Sequence, residues 1–283
     1  MTRLHPLARY HHPESEQRLV VLFEALSGSD ACVDSTQALP ATRTQVERVH
    51  DPAYVERLAS LEQETWLDGD TIGGPTSFEA ALLAAGCAVA AVEVGGFALV
   101  RPPGHHALPD RAMGFCLVDN IAVAARHAQD SLGLERIAIV DWDVHHGNGT
   151  EAIFSEDDDV LYVSLHQWPF YPGTGGPGTS DDTTLNIPLH AGAGDAEYAA
   201  GFSELVEPAV RAFDPDLVLV SAGFDAHEED PLAHMTVTEH GFEELARRSA
   251  QLGPRVAAVL EGGYNLATLP RLVEAALRGF EAA

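Results

Sequence analysis

The stretch Ile137-Ala-Ile-Val-Asp-Trp-Asp-Val-His-His-Gly-Asn-Gly149 decides the fold. Its first four residues are apolar on both parities, so an extended chain there buries both faces, as strands do in a parallel sheet covered by helices on each side. The run then gives way at once to carboxylates and imidazoles. Working outward, four further runs share this character: Phe97-Ala-Leu-Val100, Val160-Leu-Tyr-Val163, Leu217-Val-Leu-Val-Ser-Ala222 and Val256-Ala-Ala-Val-Leu260. Each is followed by chemistry: Arg101-Pro-Pro-Gly-His-His106, Ser164-Leu-His166, Gly223-Phe-Asp-Ala-His227 and Glu261-Gly-Gly-Tyr264.

Helical periodicity separates the runs. It predicts helices over Pro13 to Leu26, Phe78 to Val94 behind a Thr76-x-x-Glu79 capping box, Asn120 to Gln129, Ala196 to Phe213, Glu239 to Gln251 and Leu269 to Phe280. Strands alternating with helices give an α/β fold with a mostly parallel central sheet and helices on both faces. In such sheets ligands bind beyond the carboxyl ends of the strands, where distant parts of the chain converge. The segment His166 to Gly194 shows neither periodicity and reads as a long wall of that site. No repeat or linker divides the chain, so residues 1–283 are expected to form one domain.

Hydrophobic residues make up 46% and charged residues 21%, which excludes disordered, collagenous and disulfide-scaffold classes. The charge is lopsided: 43 acidic residues face 16 basic ones, and every basic one is Arg. A formal charge of −27 repels phosphate backbones and anionic lipid, so neither nucleic acid nor membrane is an expected partner. It leaves cationic substrates open, although solubility is the commoner reason for such a surface. Met1 to Pro6 carries no apolar leader pattern, and the apolar stretch Ala80 to Val92 is short for a bilayer and interrupted by Gly86. The expectation is a cytoplasmic protein, monomeric or weakly homo-oligomeric. Cys32, Cys87 and Cys116 lie far apart, which offers neither a disulfide framework nor a cysteine-rich metal site.

Alternation in an extended chain puts Asp141, Asp143 and His145 on one side. Carboxylate oxygen and imidazole nitrogen suit a divalent transition metal held in a site with one open position. Asp225, leaving its own buried strand with Gly223 loosening the turn, is the best third ligand. Taken singly, an Asp after a strand is more often a turn residue. His105 and His106 follow two prolines that hold the chain extended; one imidazole can act as general base and the other as its electrostatic partner. Tyr264, after two glycines, is a neutral donor for a developing oxyanion. Gly173-x-Gly175-x-x-Gly178 fits a dinucleotide fingerprint in letters only, because no strand precedes it and no helix follows.

Taken together, Arg101-Pro-Pro-Gly-His-His106, Gly114-Phe-Cys116, Asp141 to Gly149, Ser164-Leu-His166, Tyr171-Pro-Gly-Thr-Gly175, Ala222-Gly-Phe-Asp225, Asp230-Pro-Leu232 and Glu261-Gly-Gly-Tyr264 resemble the histone deacetylase family, its class II and bacterial acetylpolyamine amidohydrolase branch most closely. The motifs fall in the family's order from about His11 to Asn265. The resemblance implies an arginase-deacetylase-like three-layer sandwich and a Zn²⁺-dependent deacetylase, with Fe²⁺ as the other metal.

It implies Asp143, His145 and Asp225 as metal ligands, His106 as general base and acid, His105 as its partner, and Tyr264 as the group that polarises the scissile carbonyl. Asp141 stands behind His105 and Asn148 behind His106. Gly114, Phe115 and Tyr171 line a narrow acyl channel, Leu232 its rim, and Asp70 matches the carboxylate that binds the substrate backbone. K⁺ is implied at Asp141, Asp143, His145, Ser164 and Leu165. His12-Pro-Glu14 and Arg18 match the class II pattern, in which the Arg lies beside the product pocket.

The implied reaction is hydrolysis of a small acyl amide, with an acyl-lysine or a small acylated amine as substrate. Acetylpolyamine deacetylation is the nearest alternative; the short stretch Leu61 to Ser77 argues against it and the negative surface for it. A binuclear manganese ureohydrolase needs further bridging ligands. A non-catalytic acyl-lysine binder predicts a broken ligand or a lost Tyr, and the sequence has neither.

Overall fold

The computed structural model describes residues 12–27 and 38–283. Cys32, the leader reading at Met1 to Pro6 and the start of the motif series at His11 lie outside the described residues. The strands are β1 (Thr65–Trp66), β2 (Ile72–Gly73), β3 (Phe97–Ala98), β4 (Ile137–Asp141), β5 (Val160–Gln167), β6 (Thr184–Leu189), β7 (Leu217–Ala222) and β8 (Val256–Leu260). The helices are α1 (Gln17–Leu26), α2 (Arg43–Val46), α3 (Pro52–Ala59), α4 (Ser77–Val94), α5 (Asn120–Leu132), α6 (Asn148–Phe154), α7 (Asp195–Gly201), α8 (Glu207–Phe213), α9 (Glu239–Ala250) and α10 (Leu269–Glu281).

Six strands form one all-parallel sheet in the order β3-β8-β7-β4-β5-β6, and β1 and β2 pair as a small antiparallel ribbon. The five apolar runs all lie in this sheet. In β4 and β7 alternate residues feed two separate cores: Ala138, Val140, Val218 and Val220 pack toward α1, α9 and α10, while Ile137, Ile139, Leu217 and Leu219 pack toward α4 and α5. This is the three-layer α/β sandwich with a parallel central sheet expected from the sequence. Chain order reverses between β4 and β7, which are neighbours. That switch point opens a crevice at the strand ends, and the register sets Asp141 level with both Ser221 and Ser164.

Four local readings are corrected. The segment His166 to Gly194 contains an edge strand, β6, whose Thr, Asn and Pro188 break the apolar pattern; an edge tolerates proline because one side of the ladder is unpaired. The helix over Ala196 to Phe213 is α7 and α8 joined by a π turn at Phe202–Val206, where Pro208 supplies no N–H and so widens the ladder. Thr76 makes no side-chain cap on α4; instead Ser77 Oγ accepts the Gly74 N–H at 2.8 Å. Finally, α4 is longer than its apolar stretch and matches a membrane span in length and composition, yet 56% of it is buried in the protein, against α5 and β8 among others.

Candidate active site

Asp143 and His145 leave the end of β4, and Asp225 leaves the neighbouring β7. Their ligand atoms all lie within 4.8 Å of one another. His145 Nδ1 stands 3.0 Å from Asp143 Oδ1 and 3.2 Å from Asp225 Oδ2. Backbone donors hold the other oxygens: Gly262 N–H donates to Asp143 Oδ2 at 2.8 Å and Val144 N–H to Asp225 Oδ1 at 2.9 Å. Asp225 Oδ2 is buried with no hydrogen-bond partner among the described residues and faces the His145 ring of the cluster.

Burial opposes charge on His145, but Asp143 and Asp225 raise its pKa to about 10, the response of a pocket built around positive charge. Two carboxylates and one imidazole fit a divalent ion of the zinc type in donor chemistry and in charge. A second group, His227, Glu228 and Glu229, satisfies the same distances. There His227 Nδ1 accepts the Glu229 N–H at 3.1 Å, which leaves the ring proton on Nε2 and no lone pair for a metal.

Glycine at 223 and 262 serves proximity. A Cβ on Gly223 would lie 2.1 Å from Asp143 Oδ2, and one on Gly262 would lie 2.0 Å from Asp225 Oδ2. The expectation that Gly223 loosens a turn is therefore replaced by close packing against Asp143, since its φ is not left-handed.

The tandem imidazoles are buried beside the cluster, with ring centroids 4.1 Å apart. His105 Nδ1 lies 3.0 Å from Asp141 Oδ2, which also accepts the Tyr162 hydroxyl at 3.0 Å. Burial disfavours charge on His105, but Asp143, Asp141 and Glu261 hold its pKa well above the ordinary value. His106 Nδ1 lies 2.8 Å from Asn148 Oδ1. Burial, then the positive charge of His105 and His145, push His106 well below the ordinary value, so it is the neutral member of the pair. An amide oxygen only accepts, so Nδ1 carries the proton and Nε2 is left as a base.

Tyr264 is buried; burial raises its phenol well above the usual value, with Arg18 opposing and Asp225 and Asp143 adding to the rise. The Arg18 guanidinium lies 4.9 Å over its ring. Phe115, at φ 69°, meets Tyr264 edge-on at 5.7 Å, and Tyr171 meets His106 edge-on at 5.2 Å. A Cβ on Gly114, at φ 57°, would lie 2.4 Å from the His106 ring. Asp70 accepts the Thr71 hydroxyl at 3.2 Å, and Thr71 in turn accepts the Phe115 N–H at 2.9 Å, tying this acid to the channel wall. Leu232 is half-buried; its N–H and that of Tyr264 bind the two oxygens of Asp230 at 2.9 and 2.7 Å. Ser164 and Leu165 lie on β5 beside Asp141, with Ser164 Oγ 2.9 Å from His166 Nδ1. Gly173, Gly175 and Gly178 have positive φ in a loop that leads to a strand, which agrees with rejecting the dinucleotide reading.

Some contributors were given no role by the sequence reading. Phe170 stacks on His145 at 5.4 Å and 17°, and Asp230 bridges the rim to Tyr264. Gly149 and Thr150 donate to the His105 carbonyl at 3.0 and 3.2 Å. Only the crowding of aromatic and proline residues from Trp168 to Pro172 hinted at the first.

A carboxylate–imidazole cluster with the donor chemistry for a divalent metal lies beside a buried imidazole pair at the switch point of a parallel sheet, where open α/β folds bind their ligands. The histone deacetylase domain family matches residues 12–280. "Histone deacetylase 10, chloroplastic" of Oryza sativa subsp. japonica is 42% identical, over 95% of this chain and 69% of that protein. "Histone deacetylase-like amidohydrolase" of Pseudomonas aeruginosa is 41% identical over 91% of this chain and 73% of its own length. The crystal structure of the HDA15 HD domain superposes with a TM-score of 0.93 at 37% identity, covering 99% of this chain and 86% of the other. The chain belongs to the histone deacetylase family.

Proposed function

We propose that this protein is a zinc-dependent deacylase that removes acetyl or another small acyl group from acyl-lysine. The observation that carries the reading is the neutral His106, backed by Asn148, with its ring centroid 5.9 Å from that of His145 in the Asp143–His145–Asp225 cluster. Zn²⁺ held by those three residues supplies a Lewis acid for the acyl carbonyl; Fe²⁺ has the same donor preferences here. His106 Nε2 takes the proton of the attacking water and returns it to the departing amine, while Asn148 holds the Nδ1 proton in place. His105, charged between Asp141 and Asp143, keeps His106 from binding a proton too early. The Tyr264 phenol, protonated across the working range, donates to the developing oxyanion.

Phe115 and Tyr171 flank the acyl-lysine stem, Leu232 borders it, and Asp70 accepts from the substrate backbone. Arg18, whose buried Nη1 has no hydrogen-bond partner among the described residues and lies 3.9 Å from Glu14 Oε1, would receive the carboxylate product. K⁺ would be held by Asp141, Asp143, His145, Ser164 and Leu165, where its charge would offset that of the buried acids. Acetylpolyamines are the second substrate class, favoured by the charge of −27, which would concentrate polycations at low salt.

The test is hydrolysis of acyl-lysine peptides and N-acetylated polyamines by zinc-loaded protein in KCl, with a hydroxamate control. Tyr264→Phe is expected to lower kcat by roughly two orders of magnitude, the loss seen when one oxyanion donor is removed. Turnover indifferent to hydroxamate or to Tyr264→Phe overturns the reading, and preference for polyamines reassigns the substrate.

A further inference from the structure

Glu261 is fully buried at the end of β8. Its Oε2 accepts two successive backbone donors of another loop, Gly104 N–H at 2.6 Å and His105 N–H at 3.2 Å. Pro102 and Pro103 have no N–H, so these are the first two donors available after the proline pair that follows β3. On the far side of that loop Asn120 Nδ2 donates to the Pro102 carbonyl at 3.1 Å, and a Cβ on Gly104 would lie 2.5 Å from Asn120 N. The loop is thus wedged between the start of α5 and one carboxyl group.

Glu261 also opens the turn that carries Tyr264. The Arg18 guanidinium fastens this turn from below, donating to the Glu261 carbonyl at 2.5 Å and to the Gly263 carbonyl at 2.8 Å. One side chain therefore bridges the two loops that hold the imidazole pair and the phenol. The arrangement has a cost: Glu261 Oε1 is buried with no hydrogen-bond partner among the described residues, a desolvation penalty that an apolar residue of similar size would avoid. A buried polar group kept at such a cost marks a site where geometry matters more than stability.

We propose that Glu261 is a positioning residue that sets the spacing between the His105–His106 pair and Tyr264. Its effect on turnover rests on the deacylase reading above; the contact itself does not. The test combines steady-state kinetics with amide hydrogen exchange at residues 104–105 in the zinc-loaded full chain, for the parent protein, Glu261→Leu and Glu261→Gln.

In Glu261→Leu, exchange at these amides should speed up about tenfold or more as the loop loses its anchor. Its kcat should fall about 100-fold while KM stays within about threefold, the signature of misplaced groups and not of lost binding. Glu261→Gln keeps an acceptor oxygen at the same reach and should restore protection and most of kcat. Parent-like kcat or protection in Glu261→Leu overturns the proposal, as does a Gln variant as slow as the Leu variant. If Glu261→Leu does not fold, Glu261→Asp, one methylene short of both amides, replaces it, and full activity there overturns the proposal equally. A parent protein with no acyl-amide turnover refutes the deacylase reading, whereas the exchange data still decide whether Glu261 anchors the loop.

Discussion

His106 Nδ1 lies 2.8 Å from the amide oxygen of Asn148, the first residue of α6. A neutral partner fixes the tautomer without lending negative charge, and it leaves the imidazole pKa to burial and to the neighbouring cations His105 and His145. Asn148→Asp puts a carboxylate at the same distance. The His106 pKa should rise, so the acid limb of the kcat/KM profile should move to higher pH. An unmoved limb would show that His106 is not the base.

Metal retention should follow the cluster. Asp225→Ala removes one of the three proposed ligands and leaves Asp143 and His145 to each other. Zinc per purified chain is expected to drop from near one to near zero, and chelation of the parent protein should lower its melting temperature by several degrees, because an ion held at about 100 times its Kd contributes about 2.7 kcal/mol. Full zinc content in Asp225→Ala would remove Asp225 from the site.

Gly262→Ala probes the same site without touching a ligand. The new methyl group would lie 2.0 Å from Asp225 Oδ2 and 2.6 Å from Asp143 Oδ2, so one carboxylate or the backbone must move. Zinc affinity should weaken by about tenfold to hundredfold, as when the groups supporting metal ligands are disturbed. A zinc titration with parent-like affinity would contradict this packing.

His50 gives the fold its own acid sensitivity. Its Nδ1 donates to the Leu108 carbonyl at 3.0 Å and its Nε2 accepts the Asp119 N–H at 2.9 Å, so both nitrogens are committed in the neutral form. Burial lowers its pKa from 6.5 to about 4. Between these values the unfolded chain binds a proton that the folded chain refuses. The contribution is therefore complete above pH 6.5 and is lost as pH falls toward 4, about 3 kcal/mol in all. Denaturation of His50→Gln should show a flatter stability curve over that window than the parent; parallel curves would exclude His50 as the source.

Much of the candidate site was legible because its residues follow buried strands. Apolar runs on both parities marked β4, β5, β7 and β8, and the polar residues that follow them are Asp141, Ser164, Asp225 after one glycine and phenylalanine, and Glu261. What escaped notice depends on neighbours that are remote in sequence. Phe170 stacks on His145 from a loop with no periodicity, and β6 hid behind Pro188 because an edge strand need not be apolar on both faces. The space around Gly223 and Gly262 belongs to the carboxylates they face, and no glycine announces its neighbours in sequence.

The sequence by itself determined the parallel α/β sheet, since a strand buried on both faces must be apolar throughout, and it determined which residue types stand at the strand ends. Only the tertiary structure decided how they divide the work. Asp143 and Asp225 face His145 because β4 and β7 are neighbours across the switch point, whereas Asp141, two residues before Asp143, turns to His105 and Tyr162. The strand order that brings β8 beside β3 also brings Glu261 to the amides of Gly104 and His105, 157 and 156 residues away in sequence. Hydrogen bonds and ligand fields act over a few ångströms, so these roles exist only once folding has closed those distances.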